Sequence, residues 1–497
     1  MAKITTIIDI GSNSARMAVF QKTSRYGFHL IHELKSKVRI SEGSYEHDSY
    51  LQVKAIERAI DALKEFKKVS DLLKSRKLIC VATSAIRDAP NKADFIARVK
   101  KECGISIKVI EGIKEAYYGA IACANLLHEK NGVTIDIGGG STELACIENG
   151  IIKTMISLNL GSIRLKELFF DYNHIKEAYQ YVRSYVKENI QEIIIFCKQS
   201  MQMQNLNIFG IGGSIRAYAK YEMTLESYAF NFLHGYELNV ANILSHLQTI
   251  IHADNEWLLE SGFEHGRIDS IRPGLLILQV ILEELRANKL IISGVGVREG
   301  VFLHDMLRYH NGKIPNNINP SVRSLQDIFL TSLDDSKMIN KHAKTLFNLL
   351  QQAYELQDSN LLALQVASKL YNIGANFNFY QAHKHSAYIA LNSLHYGFGH
   401  KERYTIATLL EYSHKKRPKP ISPIYQDLLP NNDSLQILSF ILAISVVLAK
   451  EAKPSIYFEN YTLSICVNSL PLQQALNEIM QPKLETYPKL TFIVNHI

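Results

Sequence analysis

The feature that most limits what this chain can be is a repeat. Residues 134–150 read TIDIGGGSTELACIENG, and residues 7–20 read IIDIGSNSARMAVF. Aligned, Asp9, Ile10, Gly11, Ser14 and Ala18 match Asp136, Ile137, Gly138, Ser141 and Ala145. In each copy an apolar run ends on an acidic residue, turns through glycine and small polar residues, and resumes as a second apolar run. That pattern is strand, tight turn, strand. Two copies imply a duplicated unit whose turns face one ligand. Such a turn exposes consecutive backbone N–H groups at one concave spot, and glycine lets a phosphate approach them. The candidate cradle is Gly11, Ser12, Asn13 and Ser14 in one copy and Gly138, Gly139, Gly140, Ser141 and Thr142 in the other. The strand-end acids, Asp9 and Asp136, suit a hydrated Mg²⁺ that bridges to the phosphate. A third turn, in NIFGIGGSIRAYAK at 207–220, sets Gly212, Gly213 and Ser214 at a helix start, either a further anion site or a cap without a ligand. No G-x-x-x-x-G-K-[ST] pattern occurs, which closes the P-loop route.

Around the repeat, strands are expected near 4–10, 15–20, 27–33, 78–82 and 105–110, with helices near 51–74 and 91–102. The alternation recurs with strands near 133–137, 143–147, 151–157, 207–211 and 290–293. Helices near 162–170, 175–201, 214–220 and 273–286 separate them. This is the α/β pattern of two related lobes, 1–125 and 126–308, with a ligand cleft between them. Residues 309–324, YHNGKIPNNINPSVRS, read as a linker. Helical periodicities at 335–356, 358–373, 384–394, 402–413 and 434–450 then make 309–497 a helical domain, with a small β-containing segment near 455–495.

Charge narrows the ligand. The net charge is +7, but residues 1–125 hold 22 Lys/Arg against 14 Asp/Glu while the remainder is nearly balanced. Each basic cluster alone reads as a solvated face; the asymmetry favours an anionic ligand beside the first lobe. With 47% hydrophobic and 21% charged residues, disorder does not dominate. The longest apolar run, 437–449, falls short of the roughly 18–20 residues that cross a bilayer. The opening MAKITTIIDIGSNS reads as a strand and turn, not as a signal peptide. Six scattered cysteines without a C-x-x-C pair point to reduced thiols and no structural zinc. A cytoplasmic protein is expected, with neither DNA nor membrane as partner.

Six ordered motifs carry a resemblance: DIGSNSARM (9–17), VATSAIRDAPN (81–91), VIEGIKEAYYGA (109–120), IDIGGGSTEL (135–144), GIGGSIRA (210–217) and GVREGV (296–301). The chain resembles the exopolyphosphatase/guanosine pentaphosphate phosphohydrolase (Ppx/GppA) family of the actin-like (sugar kinase/Hsp70/actin) superfamily. HKHSAYIA at 383–390 extends the likeness into the helical region. The resemblance implies two ribonuclease-H-like, actin-type α/β lobes with an inter-lobe cleft, followed by an α-helical HD-like domain. It implies an Mg²⁺-dependent exophosphatase acting on inorganic polyphosphate, on guanosine pentaphosphate (pppGpp, giving the tetraphosphate ppGpp), or on both, and a homodimer.

It also lends roles to matching positions. Glu115 falls where the family keeps its general base, and Glu143 matches a second essential carboxylate near the attacking water or its metal. Asp136 matches the strand-end acid associated with Mg²⁺, and Arg87 a contact to the phosphate chain. By themselves these residues admit plainer readings. Glu115 could serve a helix N-terminus, Glu143 could be an exposed strand residue, and Arg87 could pair with neighbouring Asp88 at the surface. Arg16 and Arg216 receive no role. In the HD-like region His342 could stand first in a metal motif, but Tyr371-Asn372 occupies the place of the His-Asp pair, and the H-x-H of His383 and His385 reads as a helix-cap or packing feature. No catalytic metal is expected there; dimer contact, holding a long substrate or gating the cleft are left to it. Two other classes stay open: a non-catalytic sensor of (p)ppGpp or polyphosphate, and an ATP-dependent kinase, for which no acceptor pocket with its own acid is visible.

Overall fold

A computed structural model describes residues 3–44, 47–172, 174–200, 206–330, 332–413, 418, 422–451, 454–484 and 490–496. The chain divides into two compact units, Met1–Lys22 with Phe28–Asn316, and Thr23–Gly27 with Asn317–Ile497.

The first unit holds two sheets. One contains β1 (Lys3–Ile10), β2 (Ala15–Lys22), β3 (Phe28–Ser36), β4 (Lys77–Ala82) and β5 (Ile107–Val109), in the order β3-β2-β1-β4-β5. The other contains β6 (Gly132–Ile137), β7 (Thr142–Glu148), β8 (Ile151–Leu158), β9 (Asn207–Gly212), β10 (Glu237–Asn239) and β11 (Lys289–Ile292), in the order β10-β11-β9-β6-β7-β8. Three strands meander antiparallel in each (β3-β2-β1; β8-β7-β6), and two more continue parallel to the third (β4, β5; β9, β11). The sequence repeat is thus a repeat of topology, with β10 added as an antiparallel edge. β1 and β6 are central strands, so their apolar runs are buried on both faces.

Helix Val53–Leu72 covers the first sheet with Ala55, Ala59, Ile60 and Leu63, an apolar stripe at helical spacing. Two helices exchange lobes. Gly112–Leu126 follows the first sheet in sequence but packs on β7 and β8, whereas Val297–Met306 follows the second sheet but packs on β1. Phe302 of the latter stacks on Phe20 of β2 at 4.4 Å between ring centres. The two helices meet at Gly300, where a Cβ would lie 1.9 Å from the Tyr118 carbonyl oxygen. This crossing ties the lobes together behind the cleft.

Several expected boundaries move. The helix expected at 175–201 is two, Ile175–Asn189 and Gln191–Ser200. The stretch between 220 and 273 adds β10 and helices Val240–His252 and Asn255–Glu260, and the next helix begins at Ile268, ahead of Pro273. The expected linker ends early. Asn319 accepts from Ser321 N and Val322 N at 2.9 and 3.0 Å, Pro320 sits in the first turn, and a helix runs Pro320–Phe329.

Among the described residues of the second unit six further α-helices follow, Leu333–Leu350, Asp358–Leu370, Ala382–Ser393, His400–Glu411, Asn432–Leu448 and Leu470–Leu484. Strands β12 (Ser455–Glu459), β13 (Thr462–Val467) and β14 (Thr491–His496) form a small sheet in that order. Asn432–Leu448 is buried nearly all round, yet no helix among the described residues is long and apolar enough to cross a membrane.

Candidate active site

The twin turns close alike: Gly11 N donates to Ser14 O at 3.1 Å, and Gly138 N to Ser141 O at 2.9 Å. They also touch each other. A Cβ on Gly139 would stand 2.7 Å from Ser12 Cβ, so the second turn needs glycine there to approach the first. Gly161 presses on the back of the same turn, where its Cβ would meet Gly139 O at 2.4 Å. Gly212 adopts φ +106°, a conformation that favours glycine, and passes close to Ile137 O. Part of the glycine requirement is therefore packing between turns.

These turns floor a cleft between the lobes enclosing about 940 Å³ of space open to solvent. Of the residues expected there, Asp9, Gly11, Ser12, Asn13, Ser14, Glu115, Asp136, Gly138, Gly139, Gly212, Gly213 and Ser214 line it. Gly140 and Ser141 are buried behind the wall. Thr142 requires a correction. It is fully buried at the start of β7, and its hydroxyl donates to Leu160 O at 2.5 Å, so it is not available to a phosphate. Arg87 and Glu143 stand just behind the lining.

Four arginines face this cleft: Arg16, Arg216, Arg267 and Arg298. Arg216 is anchored, donating from Nε to Ser293 O at 2.8 Å, and Arg298 pairs with Glu33. Arg16 and Arg267 make no hydrogen bond or ion pair among the described residues. Burial pulls Arg16 down to about 10, helped by repulsion from Arg298, Arg216 and Arg267. Crowding cations this way costs free energy that an arriving anion offsets. Sequence reasoning gave no role to Arg16 or Arg216 and passed over Arg267 and Arg298. A usable signal existed for one of them: a turn closed between 11 and 14 pairs residue 9 with residue 16.

The carboxylates collect beside the arginines. Burial raises Asp9 to about 6 against the pull of Arg298 and Arg16, and raises Asp136 to about 6 against Arg216. Glu143 faces Asp136 across β6 and β7, accepts from Ser157 Oγ at 2.9 Å, and is pushed up by burial and by Asp136. Glu115, in the first turn of Gly112–Leu126, is pushed well up by burial and then by Glu143, Asp136 and Asp9. Arg87 Nη1 opposes this from 3.5 Å. Asp9 Oδ1 and Glu143 Oε2 are buried acceptors with no hydrogen-bond partner among the described residues. A carboxylate cluster beside an arginine cluster can hold a polyanion and, at the same place, take a proton from water.

The Ppx/GppA phosphatase family model matches residues 18–309, and the model of Ppx/GppA phosphatase domain III matches 319–486. The bifunctional 3-dehydroquinate synthase/phosphatase of Fusobacterium nucleatum is 32% identical over 300 residues, covering 58% of this chain and 44% of that protein. The match thus spans less than half of that relative. A solved Ppx/GppA enzyme of Aquifex aeolicus is 29% identical with a TM-score of 0.51, covering 61% of this chain and 99% of its own. An exopolyphosphatase from Cytophaga hutchinsonii, 21% identical with a TM-score of 0.56 over 61% of this chain and 98% of its own, shares the fold. With duplicated turns, a two-lobed α/β fold and a family model spanning more than half its length, the chain belongs to the Ppx/GppA phosphatase family.

Proposed function

We propose that the protein is an exophosphatase that removes the terminal orthophosphate from inorganic polyphosphate, from pppGpp (leaving ppGpp), or from both, by attack of water. The observation that carries this reading is the charge layout: four arginines, of which Arg298 alone makes an ion pair among the described residues, share one cleft with the buried carboxylate of Glu115. Phosphoryl transfer draws mainly on positioning and charge neutralisation. The turn amides and the arginines would hold the phosphates. Glu115 would take the proton as the water oxygen bonds to the terminal phosphorus and the bridging P–O bond breaks. Glu143, braced by Ser157, would orient that water.

The residues present fit a hard divalent cation, for which we propose Mg²⁺. Asp9 Oδ1 is buried with no hydrogen-bond partner among the described residues, and Asp136 lies near the end of the twin strand. Among the described residues no group of three or more His, Cys, Asp or Glu has metal-ligand geometry. We assign the cation to Asp9 and Asp136, because Mg²⁺ is usually held by one or two carboxylates and completed by water and phosphate. Bound there, the ion supplies charge neutralisation for the phosphates. On the family likeness the proposal extends to a cytoplasmic homodimer, which sedimentation of the full chain tests.

The functional test is orthophosphate release from long-chain polyphosphate and from pppGpp in parallel, with Mg²⁺ and with EDTA. Release that EDTA abolishes supports the reading, and the two rates rank the substrates. Binding of both compounds with no release from either would favour a sensor instead.

A further inference from the structure

Arg216 is held in the cleft by two backbone oxygens of one loop. Its Nε donates to Ser293 O at 2.8 Å and its Nη2 to Val295 O at 3.2 Å. Gly294 lies between these two acceptors, so the placement of its peptide decides where the guanidinium points. The Gly294 N–H donates to His234 Nδ1 at 3.0 Å. A Cβ on Gly294 would lie 2.8 Å from His234 Cβ, so the loop rests directly on that side chain.

The far side of the His234 ring reaches the helix that carries Glu115. Nε2 lies 3.0 Å from Leu126 O, at the last residue of Gly112–Leu126, where carbonyls have no partner within the helix. A carbonyl only accepts and a backbone N–H only donates, so the ring is the neutral tautomer with its proton on Nε2. The segment bearing His234 is itself fixed. Gly235 N donates to Ile292 O at 2.9 Å, Ile292 N to Tyr236 O at 2.8 Å, and the Tyr236 hydroxyl to Glu226 at 2.7 Å. Cys123, one turn back along the Glu115 helix, donates from Sγ to Ser293 Oγ at 3.5 Å. The arginine's loop and that helix thus meet at two points, and His234 spans one of them.

We infer that His234 is a positioning residue for phosphoryl transfer. Its Nδ1 fixes the 293–295 loop, and through it the direction in which Arg216 presents its guanidinium to the phosphate, while Nε2 ties that loop to the helix bearing Glu115. The inference rests on the exophosphatase reading and adds to it a residue that stands outside the cleft lining. A displacement of about 1 Å is enough to cost a positioned group much of its effect on the transition state.

Two substitutions separate the ring nitrogens. In His234→Asn the amide oxygen takes the place of Nδ1 and keeps the acceptor for Gly294. In His234→Gln the amide nitrogen takes the place of Nε2 and keeps only the donor to Leu126. Each gives up one hydrogen bond, so both should melt lower than wild type by similar amounts. The readouts, on the full-length protein, are orthophosphate release from polyphosphate with Mg²⁺ and affinity for tripolyphosphate in EDTA. His234→Gln is expected to lower kcat/KM and the affinity by about tenfold each, and His234→Asn by less than about threefold. In an Arg216→Gln background His234→Gln should cost nothing further, because it acts through that arginine. Equal losses in the Asn and Gln variants, no loss in His234→Gln, or an undiminished loss with Arg216 already replaced would overturn the inference. If wild type binds tripolyphosphate but releases no orthophosphate, the exophosphatase reading falls, and the affinities of the same set of proteins still decide the role of His234. Wild type that neither binds nor releases would overturn both.

Discussion

Asp136 on β6 stands directly across from Glu143 on β7, whereas the matching position of the first sheet sets Asp9 across from Arg16. The duplicated hairpins have diverged in charge at one place. The second sets two carboxylates together, Asp136 pushing Glu143 up, and the first turns a cation toward the cleft. A phosphoryl-transfer centre uses both, cations on the phosphate oxygens and a carboxylate on the water. Replacing Arg16 with Gln is therefore expected to lower kcat/KM for orthophosphate release by about 10²–10³. Because Arg16 is repelled by its neighbours, the same change leaves the melting temperature unchanged or higher. Steady-state kinetics and a thermal melt check the pair of outcomes.

Arg87 opposes the burial and the neighbouring carboxylates that raise Glu115. Without that cation Glu115 rises further, and its ionised form, the one able to accept a proton, appears only at higher pH. The acid limb of the pH–rate profile should therefore move to higher pH in Arg87→Gln, with partial return in Arg87→Lys. A limb that stays in place would detach Arg87 from Glu115.

Asp136 is raised from its ordinary 3.8 to about 6, so its ionised form is disfavoured in the folded protein. The cost is absent below the unfolded value and complete above about pH 6. It is at most roughly 3 kcal/mol, since part of the side chain faces the cleft. In EDTA at pH 8, Asp136→Asn should raise stability toward denaturant by up to that amount, and the gain should shrink as pH falls toward 4. Added Mg²⁺ should stabilise wild type and close the gap. Urea titrations at several pH values read all three.

Gly300 has no room for a side chain, because the atom in the way is the backbone oxygen of Tyr118 on the partnering helix. Gly300→Ala should destabilise by roughly 3 kcal/mol, at the upper end of overpacking costs. Gly104→Ala, at φ +69° with open space around it, should cost about 1 kcal/mol. Denaturation midpoints would rank them.

The elements and the twin turns were legible because central strands ending in Asp-Ile-Gly leave a local pattern. Glu115, Asp9 and Asp136 could be named from motifs and do line the cleft. Arg267 and Arg298 could not, since they reach it from a loop and from a helix that crosses back to the first lobe, and no local spacing encodes that return. Thr142 misled for the opposite reason: the turn's composition continues through it, but the strand has already begun and turned its hydroxyl inward. The boundary near 320 was lost because a Pro-rich stretch signals a loop until Asn319 and Pro320 are recognised as a helix start.

The most direct test of the central claim is orthophosphate release from polyphosphate and pppGpp by Glu115→Gln beside wild type, in Mg²⁺, with substrate binding measured on the same preparations. The account predicts rapid release by wild type, loss of at least about 10²-fold in the variant, and retained binding. Release by the variant at the wild-type rate would contradict it, because the buried carboxylate would then have no part in activating water.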